Sequence, residues 1–510
     1  MQGFTVIDLI ILIVYLAAVL FAGLHFAKRE MKGKEYFKSD GTVPWWVTSV
    51  SIFATLLSPI SFLSLAGNSY AGSWLLWFAQ LGMLLAIPVT IKFFLPVYSK
   101  LDIDTAYHYL ELRFHSKGLR VLGAVMFIIY QIGRMSIIMY LPCMVLSSLM
   151  NINVNILIII MGIIAIIYSY TGGLKSVLWT DFIQGSVLLI GVTFGLIFLI
   201  SQIDGGLGAI FHEFTAGEKF LASNEPLFDA NILKNSVFLL IVGAGFNTMG
   251  SYVSSQDIVQ RFTTTTDTKK LNKMMLANGG LSIFIATVFY LIGTGLYVFY
   301  QVQGNQLPPA AQQDQIFASW IAFELPVGVT GLLLAAIYAA AQSTLSTGLN
   351  SVASSWTLDI QERLSKKQLS FEQQTKIGQY VSLIVGIFSI VVAMVLANGG
   401  VKSAYEWFNG FMGLVLGILI GTFILGAFTK VANTFGATIA FIAASCVMIY
   451  IKYFIPADAV SIWSYSIISI AVSLVVGIPA SLIYRKVKGD KSVPAPHTRS
   501  QELRSVGLQP

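Results

Sequence analysis

Residues 47–65 read VTSVSIFATLLSPISFLSL, an apolar run interrupted near its middle by Ser58-Pro59. About 20 such residues span a bilayer, so the run is long enough to cross one. Proline lacks a backbone donor and clashes with the carbonyl one turn back, so the helix must open there. In hydrocarbon an opened backbone survives only where protein or a water-filled cavity takes up the freed groups. Ala54, Leu57, Ser58 and Ser61 fall at i, i+3, i+4 and i+7, which puts small and hydroxyl residues on the face that carries the break. Broken helices of this kind hold ions and substrate in secondary transporters, whereas an isolated proline kink requires no function.

The remaining sequence is that of a membrane protein. Of its 510 residues 56% are hydrophobic and 11% charged, and the mean hydropathy is +0.76. Thirteen apolar stretches reach spanning length, from one centred near Tyr15 to one near Ser473. They predict an all-α integral membrane domain over residues 1–485, followed by a tail at 486–510. If the first span runs from outside to inside, the inner loops collect 25 of the 31 Lys and Arg residues. The positive-inside rule then places the N-terminus outside and the C-terminus in the cytoplasm. The net charge of +7 is therefore a matter of topology, and no aromatic-studded basic face suggests nucleic acid. Cys143 and Cys446 have neither metal-site spacing nor the pattern of a disulfide framework. The tail holds Pro494 and Pro496 without amphipathic periodicity, so no signalling module is expected there. No nucleophile–base pair, metal cluster or phosphate loop points to an enzyme.

Four further stretches carry chemistry. Residues 101–120, LDIDTAYHYLELRFHSKGLR, predict a short amphipathic helix at the inner surface, with Glu111, Arg113 and Lys117 facing water. Arg134 lies deep within an apolar span, where a charge costs about 2.5–3.5 kcal/mol on insertion scales. With Asp181 the only acid expected at depth, and that one near the inner end of its span, Arg134 calls for an anionic substrate. Its planar fork suits a carboxylate. Asp181 itself reads either as a cation ligand or as a helix cap. Residues 242–262, VGAGFNTMGSYVSSQDIVQRF, place three glycines and Asn247 where a helix should be regular, predicting a second interrupted helix. Paired interruptions in two halves mark the binding site of inverted-repeat transporters. Finally, Ala340, Ser343, Thr344 and Thr347 line one helical face with Ser346 beside them. Such a stripe serves either helix packing or a monovalent cation.

The segments TAYHYLELRF (105–114), GGLKSVLWTDFIQ (172–184), SQDIVQRF (255–262) and AAAQSTLSTGLNS (339–351) together resemble the sodium/solute symporter family over about residues 4–485. Around Ser58 and Arg134 the chain most resembles that family's bacterial sialic acid transporters. The resemblance implies a LeuT-type core of two inverted five-helix repeats, about 45–203 and 233–427, with one extra helix before and two after. It implies a sodium site at Ala54, Leu57, Ala340, Ser343 and Thr344, and a second at Asp181, Ser343, Ser346 and Thr347. It implies a sugar-acid site at Ser58, Ser61, Gln80, Arg134 and Asn247. Leu56, Pro59 and His108 depart from the family pattern. The implied activity is sodium-coupled import of sialic acid (N-acetylneuraminate) across a bacterial cytoplasmic membrane, with no obligate protein partner. Another small organic anion or zwitterion, such as pantothenate or proline, is the alternative.

Overall fold

The computed structural model describes residues 5–488 apart from 28–33, 40, 102, 151, 172, 217–218, 223–224, 230, 232, 307–314, 366–368, 400–403 and 457–458. Nearly all of the tail, from residue 489, lies outside the described residues. Among the described residues every regular element is helical. The first apolar stretch forms α1 (Val6–Ala27). The interrupted one forms α2 (Trp45–Leu56) and α3 (Pro59–Ala71), bent by 63° where Pro59 was expected to open the helix. Next come α4 (Leu75–Tyr98), the short α5 (Ala106–Phe114), α6 (Lys117–Met150), α7 (Val154–Thr171), α8 (Leu174–Gln202) and α9 (Gly206–Ala216). The second half begins with α10 (Val237–Ser254) and α11 (Gln256–Phe262), then α12 (Thr268–Tyr297), α13 (Ile316–Phe323) and α14 (Val329–Ser355). The chain closes with α15 (Phe371–Asn398), α16 (Ala404–Phe428), α17 (Thr434–Phe454) and α18 (Tyr465–Lys488).

Among the described residues eleven helices are long and apolar enough to cross a membrane, and twelve when the bent pair counts as one span. The remaining apolar stretch, near Ile164, is the shorter α7.

The centre of the bundle is α14, buried along almost its whole length and packed against α1, α2, α6 and α8. Its N-terminus is capped from outside its own sequence. Asp8 of α1 accepts the amides of Gly328 and Gly331 at 2.8 Å each, satisfying donors that a helix start leaves open. The fit is tight: a Cβ on Gly331 would lie 2.7 Å from the Asp8 Cα.

The expected interruption of the helix at 242–262 is displaced. The glycines do not open it, because α10 runs unbroken through Gly243, Gly245 and Gly250 to Ser254. They serve close approach instead, as small residues commonly do between membrane helices. A Cβ on Gly243 would lie 2.2 Å from the Trp463 carbonyl, and one on Gly82 of α4 would lie 2.0 Å from that of Ile241. The break comes at Ser255, which is extended (φ −90°, ψ 116°) between α10 and α11.

The amphipathic segment at 101–120 contains α5, but Arg113 does not face water. It is buried and donates to the carbonyls of Gly426 (2.8 Å), Thr429 (2.7 Å) and Ala432 (3.2 Å) at the end of α16. A helix C-terminus leaves carbonyls without partners, and the five-donor guanidinium supplies them. Arg120 is also buried, between Asp359 (2.6 Å) and Glu111 (2.8 Å). Lys117 does remain exposed.

Candidate functional site

The break in the first interrupted helix creates the first half of the site. Leu57 and Ser58 are extended, and Pro59 occupies the first position of α3, where its missing amide has no helical partner to lose. Carbonyls in the last turn of α2 are thereby left to other donors. The polar stripe of α14 provides them. Ser343 Oγ donates to the Ala54 carbonyl at 3.1 Å and to that of Ala340 at 3.2 Å. Thr344 Oγ1 donates to the Ala340 carbonyl at 3.1 Å and lies 3.5 Å from that of Thr55. Four residues of the expected first sodium set thus converge, and Leu57 is the extended residue beside them. Hydroxyls can rotate to turn their lone pairs inward, so these groups fit the all-oxygen shell that a hard monovalent cation requires.

Three of the expected second set, Asp181, Ser346 and Thr347, come together one helical turn along α14, while Ser343 meets them only through its carbonyl, which accepts from Ser346 Oγ at 3.1 Å. Asp181 is fully buried, and its Oδ2 accepts from Ser51 Oγ (2.7 Å) and Thr347 Oγ1 (3.1 Å). Ser346 Oγ lies 3.5 Å from Oδ1. Asp181 is no helix cap, since α8 begins at Leu174 behind Gly173. It has a charged partner already: Arg261 Nη2 sits 2.6 Å from Oδ2, with neither side chain exposed. Arg261 also donates to Ser51 Oγ (2.9 Å), Thr347 Oγ1 (2.6 Å) and the Asp257 carbonyl. Oδ1 is therefore the carboxylate oxygen with spare capacity for a cation.

A cavity of about 180 Å³ lies between the two interrupted helices. Ser61, Gln80, Arg134 and Asn247 line it, as the sequence led one to expect, together with Thr248, Ser251 and the rings of Phe408 and Trp463. Ser58 does not line it, being buried within the break. Asn247 is already engaged, accepting from Ser466 Oγ on α18. Arg134 differs most from expectation. It has a resident acid: Asp257 Oδ2 is 2.5 Å from its Nη1, and Nη2 donates to the Thr55 carbonyl at 2.5 Å. Asp257 and Arg261, one turn apart on α11, thus each join a buried ion pair at this site. Both stand in the segment SQDIVQRF, where the sequence counts Arg261 with the inner-loop cations and does not single out Asp257. The two-in-one-turn spacing of opposite charges beside two lone buried ones was the available signal.

The sequence pattern of the Sodium:solute symporter family matches residues 36–444. The sodium/sialic acid symporter SiaT of Proteus mirabilis is 34% identical over 453 residues, 89% of this chain and 91% of that protein. The sodium/sialic acid symporter NanT of Aliivibrio fischeri is 30% identical over 476 residues, 93% of each. A Na+-coupled sialic acid symporter, solved in a substrate-bound outward-open state, superposes with a TM-score of 0.88 at 32% identity, covering 96% of this chain and 99% of that one. The nucleobase-cation-symport-1 family transporter Mhp1 shares the fold, with a TM-score of 0.59 at 14% identity over 94% of this chain. With its helical bundle, its interrupted spans and the oxygen-lined break, the chain belongs to the sodium:solute symporter family, whose members are secondary transporters rather than enzymes.

Proposed function

We propose that this chain imports a carboxylated sugar, sialic acid, into a bacterial cell, driven by sodium and proceeding by alternating access. One observation carries the substrate reading: a buried guanidinium, Arg134, stands on the wall of a cavity that also presents Ser61, Gln80, Asn247, Thr248 and Ser251. A fork for carboxylate beside uncharged hydrogen-bonding groups suits a polyol acid better than an aliphatic one. The sialic acid symporters among the relatives support the same reading. Ser58 contributes from the break rather than from the cavity wall.

The first sodium is held by the Ala54, Leu57 and Ala340 carbonyls and the Ser343 and Thr344 hydroxyls. The second is held by Asp181 Oδ1 with Ser343, Ser346 and Thr347. The architecture is thirteen spans, with α7 as the short one. Inverted repeats cover about residues 45–203 and 233–427, the N-terminus lies outside and the tail lies in the cytoplasm. Charge distribution supports this orientation even though Arg113, Arg120 and Arg261, counted among the loop cations, are buried.

The test is thermal stabilisation of the purified protein by a panel of sugar acids, pantothenate and proline, each in sodium and in potassium. A ligand at 100 times its Kd adds about 2.7 kcal/mol. Sialic acid should stabilise in sodium and far less in potassium, and Ser343→Ala should weaken sodium and sialic acid together, because coupling is reciprocal. Stabilisation by sialic acid that ignores the cation would refute the reading.

A further inference from the structure

Arg134 is the group on which carboxylate recognition rests in the reading above, yet its charge is already matched. A guanidinium carries one positive charge, and Asp257 sits 2.5 Å from Nη1 on the same cavity wall. Asp257 is in turn fixed by Ser255 Oγ and by the Ile258 amide at 3.0 Å, both on its Oδ1. Its position therefore follows the break at Ser255. Arg134 Nε, by contrast, is buried without a hydrogen-bond partner, on a residue that lines the cavity. An unmatched buried donor is costly unless a ligand completes it.

We infer that Asp257 is the counter-anion from which the substrate carboxylate takes Arg134, so that this ion pair sets both acid selectivity and the return of the empty carrier. Charge counting supports the exchange. The empty pocket holds Arg134 and Asp257 and is neutral. A second carboxylate brings it to minus one, which a desolvated site tolerates poorly. A sodium ion beside Thr344 restores neutrality. Thr344, of the proposed first set, and Arg134 share the Thr55 carbonyl, at 3.5 and 2.5 Å. Cation first, acid second is the order this arrangement favours. Once both are released, Asp257 re-pairs with Arg134, and the carrier can reorient without an uncompensated charge in its core.

The inference rests on Arg134 as the carboxylate site, and the experiment separates the two. Binding of sialic acid and of its methyl ester, at saturating sodium, is measured by calorimetry on wild type and on Asp257→Asn in detergent. Net uptake and exchange of labelled for unlabelled substrate are measured in proteoliposomes. The expected result is that Asp257→Asn binds the acid about tenfold or more tightly, since a close like charge has been removed. Its affinity for the ester should be unchanged, and it should retain exchange while losing net uptake. If wild type binds acid and ester equally, the Arg134 reading fails. If wild type discriminates but Asp257→Asn binds the acid no more tightly, or loses exchange and net uptake together, this inference alone fails. Should Asp257→Asn not fold, infrared difference spectra of wild type carrying carboxyl-labelled aspartate decide. The acid, and not the ester, should shift an aspartate carboxylate band that Asp257→Glu removes, and the absence of such a shift overturns the proposal.

Discussion

Replacing Arg261 by glutamine puts the second sodium position to a direct test. In the wild type Arg261 and Asp181 form an ion pair at 2.6 Å with neither side chain exposed. Removing one partner of a buried pair costs about 3–5 kcal/mol, because the other charge is left uncompensated. Asp181 keeps the Ser51 and Thr347 hydroxyls on Oδ2, with Ser346 near Oδ1, so the lower end, about 3 kcal/mol, is expected. That loss should appear in full in potassium. In sodium the ion takes over the neutralising role, and at 100 times its Kd it returns about 2.7 kcal/mol. Arg261→Gln should therefore be strongly destabilised in potassium and near wild type in sodium. The wild type, whose Asp181 is already paired, should gain less from the same salt change. Unfolding of the purified proteins at matched ionic strength, in sodium and in potassium, reads this out. An equal loss in the two salts would mean that Asp181 takes no sodium and that its partner is structural.

Arg134→Lys keeps the charge but not the planar fork, and should weaken sialic acid binding in calorimetry while leaving the protein inserted. Asp181→Asn bears on stoichiometry: two sodium ions with one acid move one positive charge inward, worth about 2.3 kcal/mol per 100 mV. Wild type should give substrate-induced currents on a supported membrane, and Asp181→Asn should transport without current or not at all. His108, outside the spans on α5, has its pKa pushed down to about 4 by burial and by the nearby Arg120 charge. Between that value and its ordinary 6.5 the unfolded chain binds more protons than the folded one. Stability should thus fall as pH drops through this window, and His108→Gln should flatten that part of the unfolding-versus-pH curve.

Proline and composition are local signals, and they served well. Ser58-Pro59 predicted the first break to the residue, and each apolar stretch became a helix. The polar stripe of α14 was legible because helical periodicity puts residues 340, 343, 344 and 347 on one face. Glycine was a poor guide to the second break. In a packed membrane bundle it permits contact, as at Gly82 and Gly243, at least as readily as it ends a helix. The break at Ser255 contains neither glycine nor proline. The spacing of Asp257 and Arg261 was a hint of charge pairing, but which charge meets which was not legible because the pairs are non-local. Arg134 meets Asp257 across 123 positions and Arg261 meets Asp181 across 80. Arg113 was misplaced for the same reason, its acceptors lying more than 300 residues away.

The contact between Asp8 and the start of α14 bears on how the molecule can be cut. On the proposed repeats α1 is an addition, and a truncation starting near residue 45 ought to preserve the proposed transport machinery. Yet Asp8 supplies the acceptor for the Gly328 and Gly331 amides, and Thr5 braces Asp8 from behind at 2.6 Å. A shortened chain would begin its most deeply buried helix with amide donors that its own N-cap residue does not satisfy. The smallest piece that keeps this cap therefore starts no later than Thr5, and a fusion joined close to that residue loads the helix carrying Ser343 and Thr344.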